Sequence, residues 1–335
     1  MKKRILASLS VVLLGTSLLS ACSNNDASNN TSNDTSSQNE YSVAIVQHAQ
    51  HPALDAATKG FQEKLTKLIE ADGKKVKFDY QNAAGEAANN ATIVNTFVSN
   101  KVDLIMANAT PSLQAATQGT TTIPILGTSV TDYASALEID NWSGTTDINV
   151  SGTSDLAPLD KQADIFTELL PQAQKIGILY ASSEANSAYQ ANEMKKLLED
   201  RGKSVEFFTV ADSNDIQTVV TNATQKIDAL YIPTDNTIAS STTTVNQITS
   251  AAKIPVIAGE EGICKGAGIA TLSIDYYQLG EKTAQMAYDI LVKGQDPAKQ
   301  EIQFADATTK KYVESRAQEL NITIPSDYEK ISTEE

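Results

Sequence analysis

The chain has 335 residues, 41% of them apolar and 20% charged, with a formal net charge of −15. That length can bury a sizeable core and points to about two domains. The acidic balance argues against a nucleic-acid-binding face and against binding anionic lipid through a basic patch. Two histidines and two cysteines leave little for a metal centre or a disulfide framework.

The first element is a targeting segment. Lys2, Lys3 and Arg4 precede an apolar run from Ile5 to Leu19, shorter than the roughly 20 residues of a comfortable membrane span. Leu19-Ser20-Ala21-Cys22 follows. Small residues before a single cysteine resemble a bacterial lipobox, in which the thiol is acylated and the cysteine becomes the first residue of the mature chain. Residues 1–21 are therefore read as a lipoprotein signal peptide and Cys22 as the lipidation site, with the protein held at the outer face of the bacterial cell membrane. Cys264 then has no disulfide partner and reads as a packed thiol. Residues 22–40 contain no large apolar side chain, cannot build a core, and form a disordered tether.

The folded body begins near Tyr41 and carries one unit twice. The first copy opens with the strand 43–46. An amphipathic helix follows, with Leu54, Ala57, Phe61, Leu65 and Leu68 on one face. Next come the strand 76–80, a helix carrying Ile93, Val94, Phe97 and Val98, the strand 103–107, the loop Asn108–Ser112, a short helix, and the strand 123–127. The second copy opens with the strand 176–180. A helix with Ala191, Met194, Leu197 and Leu198 follows, then the strand 205–210, a helix with Ile216, Val219, Val220 and Ala223, and the strand 228–233. A loop with Thr234, Asp235 and Asn236, a helix, and the strand 254–259 complete it. A long helix with Leu279, Met286, Ile290 and Leu291, and a final helix around Tyr312, Val313, Arg316 and Leu320, belong to neither copy. Short apolar strands alternating with helices imply parallel sheets covered on both faces, and two copies imply two such lobes.

In open parallel sheets, ligands sit beyond the carboxyl ends of the strands. The first copy places Gln47, His48, Thr110, Ser112, Thr128 and Ser129 there. The second places Glu184, Asn186, Ser187, Asp235, Asn236 and Glu260 there. Thr110-Pro111-Ser112 reads as a helix start, with Thr110 as its cap and unpaired amides suited to a carboxylate. Asp235 suits a ligand ammonium, although capping its own helix is the plainer role. Together the two sets suit a zwitterion. For an enzyme the chain offers little. No nucleophile elbow, phosphate-binding loop or dinucleotide fingerprint occurs, no cofactor is implied, and a hydrolytic triad lacks candidates for its base.

The lipobox, the tether, the opening around His51-Pro52-Ala53-Leu54-Asp55, the Asn108–Ser112 loop, and the stretches 149–158, 231–240, 258–262 and 273–280 together resemble the ABC-transporter substrate-binding lipoproteins of the tryptophan/tyrosine-binding (TrpX-like) family. The resemblance covers about residues 41–325. It implies an α/β fold of two Rossmann-like lobes joined by a multi-segment hinge, like the type I periplasmic binding proteins. It implies closure around an aromatic amino acid, most of all tryptophan, and delivery to an ABC permease with its ATPase. It points to Thr110, Ser112, Asp235 and Asn236, to Ser154 and Asp155 at the crossover between lobes, and to Asp275 and Tyr276 at the return crossover. Tyr133 and Tyr276 are candidate walls for the aromatic ring. The expected lobes are residues 41–150 with 276–302, and 151–275 with 303–335. A sugar- or nucleoside-binding protein of the same fold is the alternative, and a surface hydrolase a remote one.

Overall fold

The computed structural model describes residues 39–332. The signal peptide, Cys22 and the tether lie outside the described residues. In the first half, strands β1 (Glu40–Gln47), β2 (Lys75–Asn82), β3 (Leu104–Asn108), β4 (Ile125–Val130) and β5 (Val150–Ser154) alternate with helices α1 (Pro52–Ala71), α2 (Ala87–Ser99), α3 (Thr110–Gly119) and α4 (Tyr133–Ala136). In the second half, helix α5 (Leu159–Leu169) leads into β6 (Lys175–Ala181), α6 (Ala185–Asp200), β7 (Ser204–Val210), α7 (Ile216–Thr224) and β8 (Ala229–Ile232). Then follow α8 (Asn236–Ala239), α9 (Thr242–Ala252), β9 (Val256–Ala258), α10 (Glu261–Ala267) and β10 (Ala270–Ser273). The last part holds α11 (Tyr276–Leu291), β11 (Gln303–Phe304), β12 (Thr309–Tyr312), α12 (Glu314–Glu319) and β13 (Glu329–Lys330).

The strands form two sheets. One has the order β11-β5-β4-β3-β1-β2 and the other β13-β12-β10-β9-β8-β6-β7. Strands β2-β1-β3-β4-β5 and β7-β6-β8-β9-β10 thus share one order, so the sequence duplication is also a duplication of topology. Pairing is parallel except between β10 and β12. Strands such as β3 are buried along their whole length because helices cover both faces. The buried stripe of α1 runs through Leu54, Ala57, Phe61 and Leu65 to Ile69. Leu68, named in the sequence reading, is only partly buried, because steps of four residues carry the stripe from Phe61 through Leu65 to position 69.

Helix α11 lies against α1 at very short range. A Cβ on Gly280 would stand 2.0 Å from the Ala57 carbonyl oxygen, and one on Gly60 would stand 2.1 Å from that of Tyr277. Only glycine permits that approach, which clamps the late helix onto the first lobe.

The chain crosses between the sheets three times, at 155–158, 274–275 and 305–308. Ala157, Ile274 and Ala305, one from each crossing, share an apolar cluster with Ala53 and Ala57 of α1 and Tyr276 and Leu279 of α11. Strands β5 and β11 fall beyond the expected lobe boundaries at 150 and 302. Strand β5 pairs with β4, and β11 with β5, both in the first sheet. A five-residue run of Val, Ser, Gly, Thr and Ser carries little apolar signal, so its place in the sheet between β4 and β11 is set by its neighbours. Tyr312 belongs to strand β12, and the last helix starts only at Glu314.

Candidate functional site

The carboxyl ends of both sheets meet across a cleft. Its inner part is lined by His51, Leu54, Ser129, Thr131 and Asp155 from the first half, Asn186, Thr234, Asp235, Asn236, Ala239 and Glu260 from the second, and Tyr276 from the return crossing. Its outer part continues along His48, Glu86, Pro111, Glu184, Asp212 and Thr237. The two sides touch. His51 Nε2 lies 3.1 Å from Asn236 Oδ1, Thr131 Oγ1 lies 3.4 Å from Thr234 Oγ1, and Gln190 Nε2 donates to Thr131 Oγ1 at 3.4 Å.

The lining is acidic. Asp155, Asp235 and Glu260 face the inner part, Glu86, Glu184 and Asp212 the outer part, and neither part contains a lysine or arginine. Among the described residues, Asp155, Glu184, Asp235 and Glu260 form no salt bridge, although all four are buried. Backbone amides hold three of them. Asp235 accepts from Ile238 N at 2.8 Å and Ala181 N at 2.7 Å. Glu184 accepts from Asn236 N at 3.1 Å and Thr237 N at 2.9 Å. Glu260 accepts from Gly262 N at 2.5 Å and from Ile263 N. Each therefore caps a helix start, where a negative charge is favourable. Asp155 is held differently. It accepts hydroxyl bonds from Thr131 at 3.0 Å and Tyr276 at 2.9 Å, and stands where the chain first crosses between sheets.

Burial raises the pKa of all three inner acids. It lifts Asp155 against its two hydroxyl donors and pushes Glu260 up to about 7. Burial and then the neighbouring Glu184 charge lift Asp235. An acid with a raised folded-state pKa binds its proton more tightly folded than unfolded, so stability grows as pH falls through the folded value. For Glu260 that window runs from about 7 down to the ordinary carboxylate value near 4.5. Burial lowers the pKa of His48 and His51, which opposes this trend below their ordinary value of 6.5. The larger upward shifts of Asp235 and Glu260 outweigh it, so the ligand-free protein is expected to melt at higher temperature near pH 5 than near pH 8. A cationic ligand reverses the sign: it favours the ionised acids, so binding should release protons and tighten as pH rises through the same window. Melting curves at the two pH values and calorimetry in buffers of different ionisation enthalpy check both signs. A melting temperature that falls on acidification would contradict the first.

The first lobe adds donors beside these acids. Helix α3 starts after Ala109, whose side chain cannot cap it, so its first amides lack a side-chain acceptor. Thr110 Oγ1 and Ser129 Oγ are buried without a hydrogen-bond partner. Backbone strain marks the same place: Ala109 has φ 91° and Ser129 φ 54°, on neighbouring strand ends joined by Ala109 N to Thr128 O at 2.9 Å. Such conformations cost about 1–3 kcal/mol each and gather at ligand sites. The arrangement combines acids that suit an ammonium with hydroxyls and a helix start that suit a carboxylate.

Residues 42–335 match the family of ABC transporter substrate binding proteins. The chain belongs to that family. This substrate-binding protein is 38% identical, over 86% of its length and 84% of the relative's, to a protein of Clostridioides difficile named tyrosine-binding protein. It is similar to a Streptococcus pneumoniae ABC domain solved in complex with L-Trp, at TM-score 0.81 and 34% identity, covering 86% of this chain and 96% of that one. It is also similar to a C. difficile substrate-binding protein with adhesive properties in its ligand-free, open structure, at TM-score 0.65 and 35% identity, covering 88% and 100%. Sequence identity to the two structures is nearly equal, so the higher TM-score to the complex accords with the cross-cleft contacts of His51 and Thr131.

Of the residues named from sequence, the substrate-binding protein brings Ser129, Asp155, Asn186, Asp235, Asn236, Glu260 and Tyr276 to the inner cleft. Thr110 is buried at the start of α3, as its first helical residue and not its cap. Others stand behind the lining. Gln47 is saturated by Ala49 O, Asp55 and Thr58. Ser112 donates to Asn90, which in turn bonds His48 Nδ1. Ser154 Oγ donates to Thr131 O, and Ser187 takes a bond from Asn186. Thr128 joins Thr153 and Thr283 in a hydroxyl cluster inside the first lobe. Asp275 is exposed on the other side of the crossings, where it caps α11 through Gln278 N at 3.0 Å. Tyr133 is core, with its hydroxyl on Thr153 O, and Trp142 is exposed in the loop before β5.

The sequence reading did not name His51, Leu54, Thr131 or Ala239 as lining residues. Thr131 has a clear cause. The register of β4 against β5 shifts between Gly127 and Val130, and this bulge brings Ser129 and Thr131 to the cleft while Thr128 stays inside. For His51 a signal was present: it lies in the loop that leaves β1 at the carboxyl edge of the first sheet.

Proposed function

We propose that this protein is the lipid-anchored, extracytoplasmic solute receptor of an ABC importer, that it captures an aromatic amino acid, tryptophan foremost, and that it is not an enzyme. The observation that carries this reading is a closed, buried cleft lined by Asp155, Asp235 and Glu260, with an uncapped helix start and free hydroxyls beside them and no lysine or arginine among the described lining residues. Buried carboxylates without a counter-ion are costly, and a ligand ammonium supplies one. The ligand carboxylate fits α3 and Ser129, and the aromatic ring fits the apolar surface of Leu54, Ala239 and Tyr276. The names of the C. difficile and S. pneumoniae relatives support the same class. A sugar or nucleoside carries no ammonium and leaves the acids uncompensated. The loaded receptor delivers its ligand to a permease with its ATPase.

Two measurements test this. Mass spectrometry of small molecules released from the denatured protein, followed by calorimetry with tryptophan, tyrosine, a sugar and a nucleoside, should single out the aromatic amino acids. Binding of the sugar or nucleoside instead sinks the reading. Separately, Cys22→Ala should move the protein from the membrane fraction to the soluble one. Continued membrane fractionation of the variant, with no lipid on the wild type, refutes the anchor.

A further inference from the structure

The amides and carboxylates around His51 determine its tautomer. Asn236 Nδ2 donates to Glu184 Oε2 at 2.5 Å, so the amide is oriented with Oδ1 toward the opposite lobe. There His51 Nε2 lies 3.1 Å from that oxygen. An amide oxygen only accepts, so Nε2 must carry the proton. The ring is neutral when Nδ1 carries none, and burial favours that form by lowering the pKa below its ordinary value. His48 acts in the same direction, while the bond to Asn236 and the charges of Glu184 and Asp55 oppose it. His51 Nδ1 is then a lone-pair acceptor. It is buried and has no partner, in a side chain that is 7% exposed and lines the inner cleft. Buried acceptors of this kind are nearly always satisfied.

We infer that His51 Nδ1 reads the ligand's side chain, by accepting a hydrogen bond from an aromatic ring substituent that carries N–H or O–H. This rests on the aromatic-amino-acid reading and narrows it. The ammonium already has acids to meet, so the uncommitted neutral acceptor is left for the ring. Indole N–H and phenol O–H both qualify, and a phenyl ring does not. The same histidine ties recognition to closure. Its Nε2–H reaches Asn236 only when the lobes meet, so a ligand bonded to Nδ1 sits on the contact that bridges the cleft. A site built to hydrogen-bond a ligand donor rejects an analogue without one, because the acceptor is left buried and empty.

Calorimetry on the full chain tests this with four probes: L-tryptophan, L-tyrosine, L-phenylalanine and benzothienylalanine, in which sulfur replaces the indole N–H. Wild type should bind each donor-bearing ligand about tenfold to hundredfold more tightly than its partner without the donor. Two near-isosteres separate the two nitrogens. His51→Gln keeps a donor at the Nε2 position, removes the Nδ1 acceptor, and should erase the discrimination while still binding. His51→Asn keeps an acceptor at the Nδ1 position and should retain most of it. Melting curves verify that both variants fold. If wild type binds tryptophan but takes benzothienylalanine within threefold, the assignment to His51 fails while the aromatic reading stands. Discrimination that survives intact in His51→Gln overturns the assignment equally. If wild type binds none of the four, the aromatic reading itself falls and this assignment with it.

Discussion

Asp155→Asn should weaken L-tryptophan binding by about a hundredfold or more, with little change in stability. The wild-type carboxylate is buried, accepts two hydroxyl bonds, and meets no cation among the described residues. Asparagine fills the same space. The Thr131 and Tyr276 hydroxyls can both accept as well as donate, so each bond survives with one reversed. What is removed is the charge that a ligand ammonium would neutralise. Losing one partner of such a buried pair costs about 3–5 kcal/mol, and each 1.4 kcal/mol is about tenfold in affinity. Titration calorimetry measures the loss, and circular-dichroism melting verifies the fold. Binding within a few-fold of wild type would show that the ammonium is held elsewhere.

The second large effect is on stability. Asp235→Ala should destabilise the protein by about 2–4 kcal/mol, more than the loss of an ordinary helix cap, worth about 1 kcal/mol. The reason is a second bond that the sequence does not reveal. Asp235 caps α8 through Ile238 N and also ties down Ala181 N at the end of β6. Alanine would leave both buried amides without an acceptor. Relief of repulsion from Glu184 offsets part of the loss, which keeps the figure below the sum of two orphaned donors. Asp235→Asn, with one acceptor oxygen left, should fall between. Chemical denaturation gives the comparison. If Asp235→Ala proves nearly as stable as wild type but no longer binds, the carboxylate serves the ligand and not the fold.

Much of this protein is written locally. The apolar strands, the helical stripes and the order in which they recur come from short-range periodicity, so the duplicated α/β plan and the strand-end location of the site are legible from residues alone. Asp235 and Glu260 could be named because a parallel sheet presents its carboxyl ends to ligands wherever it occurs, whereas Asp155 and Tyr276 were named only through the family resemblance of the crossover segments. Tertiary structure decided which strand-end residues reach the cleft and what each one touches. The bulge in β4 exchanges Thr128 for Ser129 and Thr131, and depends on how β5 aligns beside it. Gln47 and Ser112 look like ligand groups until Thr58 and Asn90, brought in from other helices, consume their bonds. Asp275 and Tyr276 are adjacent in the chain, yet the turn into α11 sends one to the exposed side of the crossings and the other into the cleft. His51 gains its role only when Asn236 arrives from the other lobe, 185 residues along the chain. Hydrogen-bond partners and register are long-range properties, and they belong to the packed structure and not to any local run of residues.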